Sequence, residues 1–172
     1  MDIRPAGHAD LPEIQAIYAY HVLHGTGTFE ETPPSVEDIT ARYEAAAARA
    51  WQWLVATDET GIIAFATLAQ IRDRSAYRYT AEDSIYVRDD VRGQGVGKAL
   101  VAALIVEAER LGFRQIVAVI GDSENVGSIG VHASLGFRRV GLLRAVGLKF
   151  GRWLDTVYMQ RALGRGDSDL PD

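Results

Sequence analysis

Apolar residues recur at helical spacing soon after the start of the chain, with Ile14, Ile17, Tyr18 and Val22 on one face. The preceding Asp10-Leu11-Pro12-Glu13 supplies a carboxylate cap, a proline in the first turn and an acid three residues after the cap. A helix is therefore predicted from there to about Val22, after a short strand around Ile3 and before a break at Gly25-Thr26-Gly27-Thr28. Pro33-Pro34 is a second break, and Ser35 with Asp38 opens another helix through Tyr43 and the run Ala45 to Ala48. Trp51 to Ala56 and Ile62 to Ile71 are apolar, β-branched and aromatic, and Asp58-Glu59-Thr60-Gly61 between them marks a hairpin. After the polar stretch Arg72 to Thr80, a strand is predicted from Ser84 to Val87 and ends at Arg88-Asp89-Asp90. Arg92-Gly93-Gln94-Gly95-Val96-Gly97-Lys98 then runs into a helix with Leu100, Val101, Leu104, Ile105, Ala108 and Leu111 on one side, stopped by Gly112. Val117 to Ile120, a short helix Asn125 to Leu135, and strands Phe137 to Val140 and Trp153 to Met159 complete the pattern. The order is that of a mixed α+β sheet with helices on its faces. Residues 1–163 are expected to form one domain and residues 164–172 an unpacked tail.

Composition narrows what such a domain does. At 172 residues there is room for one domain with a proper core. The formal charge of −5 has the wrong sign for coating nucleic acid or anionic lipid. Cysteine is absent, which excludes disulfides, thiolate zinc sites and acyl-thioester enzyme intermediates. No signal-type segment and no apolar window of about 20 residues is present, so a cytoplasmic location is expected. His8, His21 and His24 are scattered with no spaced partner, and no metal site is expected.

The glycine loop is the densest chemical signal. Glycines at alternate positions between a strand and a helix let the backbone approach a bulky anion and leave the first helical N–H groups pointing outward. The string lacks the Gly-x-x-x-x-Gly-Lys-Ser/Thr pattern of nucleoside triphosphate loops. Its spacing also differs from the dinucleotide fingerprint, which usually opens a fold rather than following three strands. A pyrophosphate on another carrier, or a turn with no ligand, remains.

Arg92-Gly93-Gln94-Gly95-Val96-Gly97 resembles the Arg/Gln-x-x-Gly-x-Gly/Ala signature of the GNAT superfamily of N-acetyltransferases, and Asn125-x-x-Ser128-Ile129 followed by Leu135-Gly136-Phe137 matches its later motif. The resemblance covers nearly the whole chain. Thr28-Phe29-Glu30, Tyr79 to Val87 and Lys149-Phe150-Gly151-Arg152-Trp153 further resemble the branch of phosphinothricin and methionine sulfone/sulfoximine N-acetyltransferases. It implies a mostly antiparallel, twisted central sheet that splays at the cofactor site, acetyl-coenzyme A (acetyl-CoA) as donor, a small amine as acceptor, and a homodimer. It further implies that Ile85, Tyr86 and Val87 run beside the pantetheine arm, that Arg92, Gly93, Gln94, Gly95, Val96, Gly97 and Lys98 hold the pyrophosphate, and that Asn125 and Ser128 meet the arm further along. Phe29, Glu30, Arg72, Asp73, Arg74, Glu82, Asp83 and Ser84 fall in the substrate-contacting stretches.

Acetyl transfer to an amine needs the amine neutral and the departing thiolate stabilised or protonated. Glu82 is the candidate base and His132 the candidate acid, in a position where many superfamily members have tyrosine and this branch has histidine. A backbone N–H, that of Val87, is the candidate donor to the thioester oxygen. By residue type alone Glu82 also reads as a surface carboxylate and His132 as a packed helix histidine. The guanidinium forks of Arg72 and Arg74 suit carboxylate, phosphinate or sulfone oxygens and disfavour polycations. The chain departs from many relatives in having Asp83 where histidine is common, and in the form of its Arg72 loop. The expected activity is thus α-amino acetylation of small amino-acid-like substrates by direct attack in a ternary complex. The rivals are acetylation of a polyamine, an aminoglycoside or a protein N-terminus, and a non-catalytic acyl-CoA-binding module.

Overall fold

The computed structural model describes residues 1–171. Its elements are β1 (Asp2–Pro5), α1 (Leu11–His24), α2 (Val36–Ala47), β2 (Leu54–Asp58), β3 (Gly61–Gln70), β4 (Thr80–Val87), α3 (Val96–Arg110), β5 (Gln115–Gly121), α4 (Val126–Ser134), β6 (Arg138–Lys149) and β7 (Arg152–Ala162). The seven strands form one sheet in the order β1-β2-β3-β4-β5-β7-β6. Every neighbouring pair is antiparallel except β4 and β5, which are parallel because α3 crosses between them.

Each sheet face buries its own cluster. On one, Leu11, Ile14, Ile17, Tyr18 and Val22 of α1 and Ile39 of α2 meet Trp53, Val55, Ile62 and Phe65. On the other, Leu100, Val101, Leu104, Ile105 and Ala108 of α3 cover Ala64, Ala66, Leu68, Ile116 and Ala118. The predicted apolar stripes are the buried ones. Small residues on β3 let α3 lie close to the sheet.

Element ends differ from expectation in three places. The capping box of α2 forms as predicted, with the Asp38 N–H donating to Ser35 Oγ at 3.1 Å and the Ser35 N–H to Asp38 Oδ2 at 2.9 Å. That of α1 does not: the Asp10 carboxylate instead takes both Arg4 guanidinium nitrogens, at 2.7 and 2.8 Å, and the Gly7 N–H at 2.7 Å. Glu13 accepts from the Ile62 N–H at 2.9 Å, tying α1 to the hairpin beneath it. β4 begins at Thr80 rather than Ser84, so Glu82 and Asp83 are strand residues. β6 and β7 are much longer than predicted. They close through Phe150 (φ 52°) and Gly151 (φ 71°), a two-residue turn of the kind that matches strand twist. Beyond β7, Leu163 and Gly166 are buried, and Asp169 pairs with Arg114 at 3.0 Å and Arg165 at 2.7 Å.

Candidate active site

The β4–β5 ladder runs only from Thr80–Gln115 to Asp83–Ala118, after which the strands part. The Ile71 N–H donates to Thr80 O at 3.2 Å and the Arg88 N–H to Ile63 O at 2.8 Å. Alternation along a strand therefore turns the even-numbered backbone groups of β4 toward β3, and those of Ile85 and Val87 toward the open side. The gap opens into a cleft of about 1030 Å³, walled by β4, β5, the loop before α3 and the first turns of α3 and α4.

The loop before α3 has the geometry of an anion cradle. Gly93 (φ 77°) and Gly95 (φ 82°) sit in the left-handed region with open space where a Cβ would project. No side chain caps α3, and the first intrahelical bond is from Ala99 N–H to Gly95 O, which leaves the Val96, Gly97 and Lys98 N–H groups outside the helical ladder. At Gly97 a Cβ would make only ordinary van der Waals contact, with Val87 Cγ2 at 3.5 Å and Ile85 Cδ1 at 3.7 Å, which places the start of α3 against β4.

Ser84, Ile85, Tyr86, Val87, Arg92, Gly93, Gly95, Val96, Gly97, Lys98, Asn125, Ser128 and His132 all line this one cleft, and so does Asp83. Asn125 Oδ1 caps α4 by accepting the Ser128 N–H at 3.2 Å. Gln94, Phe29, Glu30, Arg72, Asp73, Arg74 and Glu82 are not among the lining residues. Glu30 is held by Arg42 at 2.8 and 3.2 Å and by the Tyr18 hydroxyl at 3.0 Å. Phe29 is wedged over glycines, filling the space that a Cβ at Gly147 would need. Arg72, Asp73 and Arg74 form an exposed β3–β4 connection whose carbonyls, those of Arg72 and Arg74, accept from Gln70 Nε2.

Glu82 lies on the β4 face shared with Ser84 and Tyr86, and Asp83 on the opposite one. Burial, reinforced by the Asp83 charge, pushes the Glu82 carboxyl above its ordinary value, and Arg72 only partly offsets this. Asp83 and His132 are both almost fully buried, with His132 Nε2 2.8 Å from Asp83 Oδ2. His132 Nδ1 lies 2.8 Å from the Ser128 carbonyl oxygen, which can only accept. Both ring nitrogens thus face acceptors, the arrangement of an imidazolium. Burial opposes its charge, but Asp83 and Ser128 together outweigh burial and hold the His132 pKa above the ordinary histidine value.

Two residues near the site were given no role by the sequence. His21 Nε2 donates to the Val87 carbonyl at 2.9 Å, across 66 residues. Lys149 is buried, its Nζ donating to Gly25 O at 2.8 Å and Thr28 O at 2.9 Å, so the β6–β7 hairpin fastens the loop after α1 over the cleft. Burial lowers the pKa of both groups. Among the described residues, no cluster of three or more His, Asp or Glu side chains is placed to hold a metal ion.

The family model for the acetyltransferase (GNAT) domain matches residues 3–158. The chain belongs to the GNAT acetyltransferases. It is 46% identical over 170 residues to a phosphinothricin N-acetyltransferase of Alcaligenes faecalis, covering 99% of this chain and 86% of that one. It is 44% identical over 159 residues to an L-methionine sulfoximine/L-methionine sulfone acetyltransferase of Pseudomonas paraeruginosa, covering 92% of each. A GNAT phosphinothricin acetyltransferase from Sinorhizobium meliloti, solved in complex with AcCoA, superposes with a TM-score of 0.96 at 45% identity, over 99% of this chain and 92% of that one.

Proposed function

We propose that the chain transfers an acetyl group from acetyl-CoA to the α-amino group of small amino-acid-like substrates of the phosphinothricin or methionine sulfoximine/sulfone type, in a single catalytic domain spanning residues 1–163. The observation that carries the reading is the parting of β4 from β5 after Asp83–Ala118, beside an uncapped α3 N-terminus. The pyrophosphate takes the Val96, Gly97 and Lys98 N–H groups, with Arg92, Gly93, Gln94 and Gly95 shaping the loop. The pantetheine arm lies along Ile85, Tyr86 and Val87, adding hydrogen bonds to an edge that has no strand partner, and passes Asn125 and Ser128. The Val87 N–H donates to the thioester oxygen as negative charge builds there.

Glu82, with its raised pKa, accepts the ammonium proton directly or through water, so that the nitrogen attacks as a neutral amine. Arg72 and Arg74 bring positive charge to the Glu82 end of β4 and suit the acidic groups of such substrates, with Asp73, Ser84, Phe29 and Glu30 bordering the acceptor side. Without cysteine in the chain no thiol acyl-enzyme can form, which favours direct attack in a ternary complex.

The working form is a homodimer in the cytoplasm. Val140, Leu143, Val146, Leu148, Phe150 and Trp153 are each 47–66% exposed on the β6–β7 hairpin. β6 is also the end strand of the sheet, a long apolar edge of the kind that a second copy covers. No helix among the described residues is long and apolar enough to cross a membrane.

A thiol-release assay with acetyl-CoA against L-phosphinothricin, L-methionine sulfone, L-methionine sulfoximine, spermidine, an aminoglycoside and an N-terminal peptide tests the reading. Turnover confined to the first three is expected. Turnover only on one of the others would discard the substrate class and leave the chemistry.

A further inference from the structure

One polar atom at the vertex of the splay is left over. Asp83 occupies the last rung of the β4–β5 ladder, is 4% exposed, and lines the cleft. Its Oδ2 is taken by His132 Nε2, while its Oδ1 is buried with no hydrogen-bond partner among the described residues. An orphaned buried oxygen of this kind is destabilising, and native interiors rarely carry one without a reason. His132 is the opposite case. Its two ring nitrogens are engaged by Asp83 and Ser128, the ring packs edge-on to Phe137 at 4.9 Å, and neither nitrogen is left to meet a reactant.

We infer that Asp83 Oδ1 carries the proton from the attacking nitrogen to the leaving sulfur, and that His132 is its positioning residue. The inference deepens the acetyl-transfer reading of this cleft and rests on it. Once Glu82 has taken the first ammonium proton, the neutral amine attacks the thioester carbon, the C–N bond forms, and the carbonyl π pair moves onto oxygen. Asp83 Oδ1 accepts the proton that the nitrogen must now lose. The carbonyl reforms, the C–S bond breaks with its pair on sulfur, and the sulfur takes that proton from Oδ1. Amide and thiol result, Asp83 returns ionised, and His132 keeps both of its protons throughout.

The surroundings favour this division of labour. Besides His132, α4 carries no titratable side chain, and neither β3 nor β5 carries any. On β4 itself the only other one near the vertex is Glu82, on the opposite face, with Arg72 acting on it from the loop. Elsewhere the cleft is lined by Lys98 on the first turn of α3, Asp89 and Arg92 before it, His21 on α1, which is committed to Val87, and Asp122, Glu124 and Arg152. Asp83 therefore depends on His132 for its charge balance and its orientation.

Asp83→Asn keeps the shape and removes the proton carrier, whereas His132→Gln keeps an N–H donor toward Asp83. Asp83→Asn is expected to lower kcat about 100-fold or more, with KM for acetyl-CoA within about twofold. His132→Gln is expected to stay within about tenfold of wild type. A loss in His132→Gln as large as in Asp83→Asn, or Asp83→Asn within about threefold of wild type, overturns the inference. Nitrogen-15 NMR of the wild-type protein reads the pair independently of turnover and of variant folding. Both ring nitrogens of His132 are expected to be protonated at pH 7, and a neutral ring overturns the assignment whether or not any amine is acetylated. Wild-type protein that turns over no amine would instead count against the acetyl-transfer reading itself.

Discussion

His21 donates through Nε2 to the carbonyl of Val87 at 2.9 Å, so the last turn of α1 holds the open edge of β4 at the point where its neighbour β5 has already turned away. The bond occupies the Val87 carbonyl and fixes the peptide plane beyond the Val87 N–H. Replacing His21 by Phe preserves ring packing on Tyr86, now at 5.4 Å between centroids, but leaves that carbonyl without its donor. A loss of about 1–3 kcal/mol in denaturant unfolding is expected, together with a fall of about tenfold in kcat/KM. Unchanged turnover in a destabilised variant would confine His21 to a structural role.

Glu82 sets the acid limb of the pH–rate profile. Its carboxyl is pushed up by burial, then by the Asp83 charge, and it acts only when ionised. Activity should therefore be full above this raised pKa and fall as the pH drops through it, at a pH above the ordinary glutamate value. Glu82→Gln is expected to remove that limb and lower kcat about 100-fold while leaving acetyl-CoA affinity nearly unchanged. A wild-type pH profile in the variant would remove Glu82 as the base.

Gly95 tests the cradle. Its φ of 82° strains any L side chain, and the open space over it is where a pyrophosphate would lie. Gly95→Asp puts a carboxylate there, and calorimetry should show acetyl-CoA affinity reduced at least about 100-fold. Gly95→Ala, which adds strain without charge, should lose far less.

The apolar β6–β7 hairpin predicts the oligomeric state. Sedimentation equilibrium should give a dimer for the wild type and a monomer for Leu143→Glu combined with Leu148→Glu, two positions 47% and 57% exposed in the single chain. A wild-type monomer at micromolar concentration contradicts the assignment.

How much of this was legible in the sequence depended on the range of each interaction. The Ser35–Asp38 box, the α3 stripe and the glycine loop are local patterns, and the structure has them where the spacing placed them. The same local logic failed at Asp10. Its carboxylate found a stronger partner in Arg4, a charge-assisted pair that outcompetes a helix cap. The length of β6 was hidden because Val140, Leu143, Val146 and Leu148 are apolar yet exposed, so no alternation of buried apolar and exposed polar positions marks the strand. His21, Lys149 and the Asp83–His132 pair were hidden for another reason. Each is made by residues 49 to 124 positions apart, and their meeting is set by the sheet order, not by spacing.

Backbone amide shifts on titration with acetyl-CoA test the central claim most directly, because the claim names which N–H groups meet the donor. The account predicts that Ile85 and Val87 on β4 and Val96, Gly97 and Lys98 at the start of α3 shift and gain exchange protection together, with no comparable change along β1 or β2. Saturable binding that leaves these five amides unmoved would contradict it.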